Sequence, residues 1–440
     1  MGIINVVDSL CRAAELRTVW SGTARQAASG RSTEICLARG NLALCLDALT
    51  APLGVIWELR ENEIRLSIAR EVSEGTLAIC RRQAARRALE HAVQEYPEFA
   101  LGPQALVALG NMALQDGQMD AAEANYRRML EKYPRSPICA DAWFNLAKRN
   151  LLQDRPDAAL DTFWNVVDSS APPVTAAAAY LYIGRLLLDA EQPRRAVTPL
   201  TRATQWTTDG TVRTKAVLCL AAAHLLQDRP ELANEVLMDF RSDVRSEATQ
   251  AAFLSALARF RAAKSPTLRL EEAQSLLSAS EPLQSSDFFG RYGWYLRGRA
   301  YEELLLPELA VAVYREALDH NAHPPYRHDI RFGLGTCLAD IGELDAARLQ
   351  FTGLIENADP DWQRKAAFRL CRLQLDSREP LAASRIARTL LAQCTDPEEQ
   401  ARALQLLGAA YQRMGDHAAA ALCFAGTVPG SSPSGTNEEH

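Results

Sequence analysis

Hydrophobic residues between Pro103 and Pro134 recur at helical spacing in two blocks that are separated by Gly117. The first block contains Leu106, Leu109, Gly110 and Ala113, and the second contains Ala122, Tyr126, Met129 and Leu130. This spacing predicts two helices, each with one apolar face, and Pro134 ends the second helix. Because neither helix could bury its apolar face alone, the pair needs neighbours of the same kind.

The same pattern of two blocks returns along most of the chain. A small residue in each first helix marks nine units: Gly110, Ala147, Gly184, Ala221, Ala258, Gly298, Gly335, Cys371 and Gly408. The steps between them are 37, 37, 37, 37, 40, 37, 36 and 37 residues. Each second helix has its own small residue, from Ala122 to Ala420, and in most units a bulky residue follows four places later. A period that persists through nine units predicts stacked helix pairs.

One unit also carries a sequence signature. Trp294, Gly298, Tyr301, Ala310 and Tyr314 match the pattern W-x2-L-G-x2-Y…A-x3-F, with Arg297 in place of Leu. The stretch from about residue 80 to residue 427 therefore resembles tetratricopeptide repeats, although its period is mostly 37 residues instead of 34. The resemblance implies a mainly α fold, a tetratricopeptide-like solenoid wound as a right-handed superhelix of about nine helix hairpins.

These patterns predict the organisation of the rest of the chain. Residues 73–102 are expected to form an incomplete first repeat, 103–427 the repeat array, and the Gly-, Ser- and Pro-rich residues 428–440 a disordered tail. The fifth unit, 251–287, is irregular, with a turn that Pro266 and polar residues lengthen between Lys264 and Leu270. The polar stretch Ser278 to Asp287 is either a hinge or a long surface loop, and we favour the loop.

Residues 1–70 follow a different pattern. We predict a helix over Asn5 to Leu16, strands at Arg17 to Trp20 and Thr33 to Ala38, and a helix capped by Asn41. Alternating apolar residues on both sides of Glu61-Asn62 then predict a β-hairpin. The order α-β-β-α-β-β is sufficient for a small α+β domain.

The segment STEICLARGNLALCLDALTAPLGVIWELRENEIRLSIA resembles the short N-terminal domain of secretins and TonB-dependent receptors, known as STN. In that family a strand usually precedes the first helix, and here only Gly2 to Ile4 could supply it. The resemblance implies a bacterial protein and a recognition module of the cell envelope. The alternative is an α+β domain that only caps the first end of the repeats.

Charge and cysteine content limit the possible partners and compartments. The net charge of -6 gives no electrostatic reason to expect nucleic acid or an anionic membrane as partner. No apolar run is long enough to span a membrane. The N-terminus lacks a signal-peptide pattern, and the ten scattered cysteines suit free thiols, so we expect a cytoplasmic protein. A periplasmic or envelope location would require an upstream signal segment.

Catalytic motifs are missing from the sequence. It contains no phosphate-binding loop, no GxSxG, no HExxH and no GxGxxG. The densest group of candidate metal ligands is Asp319, His320, His323, His328 and Asp329. Pro324 and Pro325 stiffen that segment, so we interpret it as a polar loop between repeats. We therefore predict no enzyme, no cofactor and no metal site.

The resemblance to tetratricopeptide repeats places the first helices along a concave groove. Residues one helical turn apart would face it, in the pairs Val107/Asn111, Phe144/Lys148, Leu181/Arg185, Leu218/Ala222, Tyr295/Arg299, Phe332/Thr336, Phe368/Arg372 and Gln405/Ala409. Four of these pairs place a cation one turn after an apolar or aromatic residue. Such a lining would suit an extended peptide or amphipathic helix with acidic residues. Alternatively, the cations pair with neighbouring carboxylates such as Glu302 or Asp376.

We therefore predict a scaffold that binds a protein or peptide with acidic residues in this groove. The predicted contact residues are Asn111, Phe144, Lys148, Arg185, Tyr295, Arg299, Phe332, Phe368 and Arg372. The carboxylate clamp of chaperone-binding relatives is not reproduced, because Val107 stands where that clamp has lysine. The alternative function is an assembly or structural protein of the bacterial envelope, whose STN-like domain docks on an envelope complex.

Overall fold

The structure is a computed structural model that describes residues 2–32, 40–96, 98, 100–207, 209–320 and 323–429. It contains two compact units, residues 1–179 and residues 180–440. The predicted strand at Thr33 to Ala38 and most of the predicted tail lie outside the described residues.

The first unit begins with a small α+β domain, as predicted. Its elements are α1 (Ile3–Ala13), β1 (Arg17–Trp20), α2 (Gly22–Ala28), α3 (Leu42–Thr50), β2 (Val55–Arg60) and β3 (Glu63–Ile68). The strand order is β1-β3-β2, with β1 parallel and β2 antiparallel to β3. Val7, Leu46, Ile64 and Leu66 fill the core of this domain.

Two local features decide how this domain starts and ends its helices. Asn41 accepts a hydrogen bond from the Leu44 N–H and caps α3, as predicted. No helix was predicted after β1, and the segment there forms helix α2. The Ser21 side chain accepts from the Ala24 N–H there, and this cap compensates for the weak helix propensity of Gly22.

Five further helices lie in the first unit: α4 (Glu74–Glu95), α5 (Gly102–Gln115), α6 (Met119–Lys132), α7 (Cys139–Leu152) and α8 (Pro156–Asp168). Gly117 separates α5 from α6 with a φ of 74°, a left-handed conformation that glycine adopts without strain. Tyr126 of α6 is fully buried against α5. The predicted helix pair at Pro103 to Pro134 is thereby confirmed.

The remaining helices continue the alternation of first and second helices. They are α9 (Pro173–Asp189), α10 (Pro193–Trp206), α11 (Gly210–Leu225), α12 (Pro230–Leu237), α13 (Arg245–Ala262), α14 (Pro266–Ser280), α15 (Gly293–Glu303), α16 (Pro307–His320), α17 (Arg327–Asp340), α18 (Leu344–Asn357), α19 (Pro360–Asp376), α20 (Pro380–Gln393), α21 (Pro397–Met414) and α22 (His417–Phe424). Many of them begin with proline, whose fixed φ suits the first turn of a helix.

Within each pair the two helices cross at a small residue that faces a large one. A Cβ on Gly298 would lie only 2.0 Å from the Tyr314 ring, and Gly184, Gly335 and Gly408 meet Leu200, Phe351 and Phe424 in the same way. These partners are separated by 16 residues in every case, because the helix pairs share one register. The small and bulky residues that recur in the sequence are therefore the residues that pack against each other where the two helices of a pair cross.

The irregular fifth unit differs from the prediction in two respects. Helix α14 starts at Pro266 behind the capping Ser265, so the turn after α13 is short and not lengthened to Leu270. The predicted loop at Ser278 to Asp287 is only partly at the surface, because Ser280 ends α14 and Leu283 is buried. The residues that follow it, Phe288 and Tyr292, are also buried, and we call the whole stretch the segment of residues 281–292. Its serines and glycines resemble a loop in the sequence, whereas its apolar side chains pack into the second unit.

The nine described cysteines are all free, and most of them are buried. They therefore behave as small core side chains, as the sequence indicated. Among the described residues, no helix combines the length and the apolar character needed to cross a bilayer.

Candidate partner-binding site

Three of the predicted contact residues lie together in the second unit. Tyr295 and Arg299 of α15 and Phe332 of α17 line a cavity of about 580 Å³, and the adjacent helix α19 closes its other side. The three helices are first helices of successive pairs and contact one another in order. We call this surface of α15, α17 and α19 the first-helix site.

Aromatic rings form the apolar part of the first-helix site. Tyr295 stacks on Tyr326 with 4.4 Å between ring centroids and an angle of 6°. Phe332 lies edge-on to Phe351 at 5.8 Å, and the Trp362 ring is 5.6 Å from Phe332. The rings brace one another, so the site offers a preformed apolar surface.

Two cations stand beside these rings. The Lys365 ammonium lies 4.4 Å from the centroid of the Trp362 ring, and the Arg369 guanidinium lies 5.8 Å from that of Phe332. Both line the cavity, and neither forms an ion pair with a carboxylate of the described residues, although the Lys365 charge acts to lower the pKa of Asp329. Both side chains are exposed at the cavity.

Trp362, Lys365 and Arg369 were not predicted from the sequence. The predicted positions lie three residues before and one residue after the small crossing residue, which on α19 are Phe368 and Arg372. In the structure, α19 also turns a neighbouring face toward α17, the preceding first helix. Lys365 and Arg369 lie on that face, six and two residues before Cys371.

Carboxylates neutralise part of the positive charge in the site. Arg299 donates to Glu302 at 3.0 Å and lies 3.8 Å from Glu303, so the predicted alternative, pairing within the repeats, applies to this cation. Burial raises the pKa of Glu302, whereas Arg299 acts to lower it. Burial likewise raises the pKa of Asp329, to which the Tyr295 hydroxyl donates at 3.4 Å. Both carboxyls thus hold protons more readily than exposed ones.

Arg185 lies away from the first-helix site, in a different cavity of the second unit. Its guanidinium is 5.5 Å from the centroid of the Tyr182 ring and 5.2 Å from that of Phe289. Phe289 belongs to the segment of residues 281–292, which also packs Phe288 against Phe253 and bonds the Tyr292 N–H to Asp189 at 3.1 Å. The chain itself therefore covers this part of the predicted groove.

The remaining predicted contact residues have varied surroundings. In the first unit, Asn111 accepts a hydrogen bond from the Tyr126 hydroxyl at 2.6 Å, Phe144 packs edge-on against Phe163 at 5.4 Å, and Lys148 is exposed. In the second unit, Phe368 is only 5% exposed beneath Arg402, which leaves little of its ring for a ligand. Arg372 is exposed and does not line the cavity.

The group of histidines and aspartates between α16 and α17 is dispersed. His320 bonds to the Glu316 carbonyl, His323 contacts Arg327, and His328 lies 3.9 Å from Asp359. Asp329 belongs to the first-helix site. In the part of the chain that the structure describes, no three potential ligand side chains gather around a common point.

Comparison with known families identifies the repeats. The tetratricopeptide repeat family model matches residues 81–137, 120–172 and 295–361. The third match covers most of the residues that line the first-helix site. The chain therefore contains tetratricopeptide repeats, whereas the resemblance of residues 1–70 to STN domains stays a prediction. A search of curated proteins finds no match.

Several solved structures are similar to the chain. A tetratricopeptide repeat protein from Parabacteroides merdae ATCC 43184 is 13% identical, with a TM-score of 0.41 over 57% of this chain and 91% of its own. The MamA protein is 19% identical, with a TM-score of 0.34 over 42% and 92% of the two chains. The human IFIT1 dimer with PPP-AAAA is 15% identical, with a TM-score of 0.41 over 73% and 71%.

Proposed function

We propose that this protein is a non-enzymatic scaffold whose first-helix site holds an acidic segment of a partner protein. Tetratricopeptide repeats generally serve as protein-interaction modules. The observation that carries the proposal is the position of Lys365 and Arg369, which hold no ion pair among the described residues, beside the rings of Trp362 and Phe332. An apolar side chain of the partner would pack on the rings, and a carboxylate nearby would meet the two cations.

The position of the site within the repeats also supports this proposal. The face of α9 and α11 is covered by residues 281–292, since Phe289 lies near Arg185 and Lys215 and the Tyr292 hydroxyl contacts Cys219. The first-helix site has no such cover in the part of the second unit that is described. A partner segment can therefore reach its rings and cations directly.

The test reverses the two charges. Lys365→Glu with Arg369→Glu should reduce capture of partner proteins from the source cells by at least about tenfold, because two favourable charges become repulsive. Quantitative mass spectrometry of affinity-purified complexes measures the loss. The matched control is Arg128→Glu with Arg385→Glu, which changes net charge equally at exposed positions of second helices.

The proposal predicts that the control captures the same partners as the wild-type chain. Equal capture by the Lys365/Arg369 variant and the control would contradict the first-helix site. Circular dichroism and melting of both variants establish that they are folded, since both cavity cations lie at the surface of α19 and hold no buried ion pair among the described residues.

A further inference from the structure

Strand β2 forms an edge of the N-terminal sheet, and its outer side has no partner strand among the described residues. The Ala69 N–H donates to the Gly54 carbonyl, and Val55 is opposite Ile68. In an antiparallel ladder the bonded pairs alternate, so residues 56, 58 and 60 bond to β3. The backbone N–H and C=O groups of Val55, Trp57 and Leu59 therefore point away from the sheet.

This free edge faces a cavity of about 620 Å³ in the first unit. All six residues of β2, from Val55 to Arg60, line the cavity, and Ile79 and Cys80 of α4 line it from the opposite wall. Successive side chains of a strand point to opposite faces of its sheet. Six consecutive residues can share one cavity only when the strand meets it edge-on.

An ion pair fixes the far wall of the cavity. Arg87 of α4 binds Asp47 of α3 through two hydrogen bonds of 2.8 and 3.0 Å, and its guanidinium lies 4.9 Å from the centroid of the Trp57 ring. The Trp57 indole N–H also donates to Asp47 at 2.8 Å. Helix α4 is thus attached to both α3 and β2, and the slot between α4 and the strand edge is preformed.

We propose that this slot binds an extended segment of a partner protein, which adds to the sheet as a further strand beside β2. The outward backbone groups of Trp57 and Leu59 border the slot, whereas Val55 is only 2% exposed and lies beyond the reach of a ligand. An added strand pairs the groups of Trp57 and Leu59 through main-chain hydrogen bonds. The site is separate from the first-helix site and does not depend on the function proposed for it.

The lining of the slot defines the chemistry of this segment. Leu59 and Ile79 are more than half exposed at the slot, so an apolar side chain of the segment covers them. The charged lining residues are Arg60, Arg81, Arg87, Asp47 and Glu58. Asp47 pairs with Arg87 and Glu58 with Arg60, which leaves Arg81 exposed as the excess cation. The segment is therefore extended, apolar at alternate positions, and carries an acidic residue.

The experiment uses a phage-displayed library of random dodecapeptides, selected on the full chain. Enriched peptides should alternate apolar and polar residues, and their affinities are then measured on Leu59→Pro and Leu59→Ala. Proline at position 59 removes an N–H that points away from β3, so no hydrogen bond between β2 and β3 is lost. Alanine changes only an exposed side chain. Leu59→Pro should weaken binding at least about tenfold, the equivalent of one lost hydrogen bond or more. Leu59→Ala keeps the outward N–H and loses only side-chain contact, so it should weaken binding clearly less than Leu59→Pro.

A second variant and an exchange measurement complete the test. Ile79→Glu, in an exposed position of α4, should also weaken binding and cannot disturb the strand. Amide hydrogen exchange of Trp57 and Leu59 should be fast in the free chain and slow with peptide bound. No enrichment, equal binding to Leu59→Pro and Leu59→Ala, or protected edge amides in the free chain would overturn the proposal. A dimer that Leu59→Pro dissociates would also overturn it, because a second copy would then occupy the edge.

Discussion

At the scale of single residues, the helix pairs depend on glycines that admit a neighbouring ring. Gly298 lies against Tyr314, and Gly110 against Tyr126. Each ring fills the space that a side chain on the glycine would occupy, and both tyrosines are fully buried. Close packing leaves no volume for an added methyl group unless the ring moves. Glycine in a helix is unfavourable by itself, so its presence here reflects packing.

Gly298→Ala should therefore destabilise the protein, although alanine is the better helix former. The added methyl group would displace Tyr314, and we expect a loss of about 1–3 kcal/mol, seen as a lower melting temperature. The matched control is Gly353→Ala on α18, where the nearest atom is the Arg331 guanidinium at 3.6 Å. That change should leave the protein as stable or up to about 1 kcal/mol more stable. If Gly298→Ala were as stable as the wild-type chain, the contact between Gly298 and Tyr314 at the helix crossing would be refuted.

A buried carboxyl should make stability depend on pH. Burial raises the pKa of Asp189 to about 6, although Arg185 and Arg291 act to lower it. Since the unfolded value is near 4, the folded chain binds the extra proton between about pH 4 and 6. The destabilising effect of the ionised Asp189 carboxylate therefore decreases as the pH falls through that range. Above pH 6 both states are ionised, and its unfavourable effect is then constant and at its largest.

Asp189→Asn should remove this dependence and keep an oxygen that accepts the Tyr292 N–H. Relative to the variant, the wild-type chain should gain on the order of 1–3 kcal/mol between pH 7 and pH 4.5, measured by urea unfolding. Asp345→Asn serves as the control, because that carboxylate is almost fully exposed. Parallel pH profiles of the wild-type and Asp189→Asn chains would count against the buried carboxyl.

At the scale of elements, polar links join successive first helices in addition to their apolar contacts. Arg261 of α13 binds Glu303 of α15 through two hydrogen bonds of 2.7 and 3.0 Å, and it donates to the Leu225 carbonyl of α11 at 2.8 Å. Both charged side chains are mostly buried. One arginine thus connects three first helices, and losing either charge leaves the other poorly solvated.

A double-mutant cycle measures this link. Arg261→Met and Glu303→Gln should show a coupling free energy on the order of 1–3 kcal/mol in urea unfolding, because the pair is shielded from water. The comparison pair is Arg315 and Glu343, at 2.8 Å but about half exposed on both sides. Its coupling should stay below about 1 kcal/mol. Similar coupling for the two pairs would contradict the linking role of Arg261.

An element can be predicted from the sequence when a repeated local pattern determines it, and not when a single cap or a distant contact does. The helix pairs were predictable because the small and bulky residues recur at a fixed spacing, and the hairpin because apolar residues alternate around Glu61-Asn62. Helix α2 could not be predicted in this way, because its start depends on the single cap at Ser21. The packing of residues 281–292 was not predictable either, because Phe288 and Tyr292 find distant partners, Phe253 and Cys219.

The residues of the first-helix site likewise divide into those that the sequence predicts and those that it does not. Tyr295, Arg299 and Phe332 follow from the period, since they occupy equivalent places in successive first helices. Trp362, Lys365 and Arg369 lie on a face whose exposure depends on how α19 packs beside α17. The period gives the position of a residue within its repeat but not the angle between neighbouring helices. For that reason Phe368 was predicted to face a ligand and is instead buried.

At the scale of the whole molecule, the chain carries a net charge of -6, whereas the first-helix site presents two exposed cations, Lys365 and Arg369. The proposed acidic partner would therefore be selected by the local surface and not by the overall charge. The slot beside β2 lies in the other unit, and the binding proposed for it uses the backbone of the strand. The two proposed surfaces differ in chemistry, so one chain could hold two kinds of partner segment.

Site-specific photo-crosslinking tests the first-helix site most directly. A benzoylphenylalanine replaces Phe332 in the full chain within the source cells, and in a control it replaces Leu349, an exposed residue of α18. We predict that irradiation links partner proteins to position 332, that Lys365→Glu with Arg369→Glu abolishes these products, and that position 349 yields none of them. Equal products from both positions, or none from position 332 while partners still co-purify, would contradict the account.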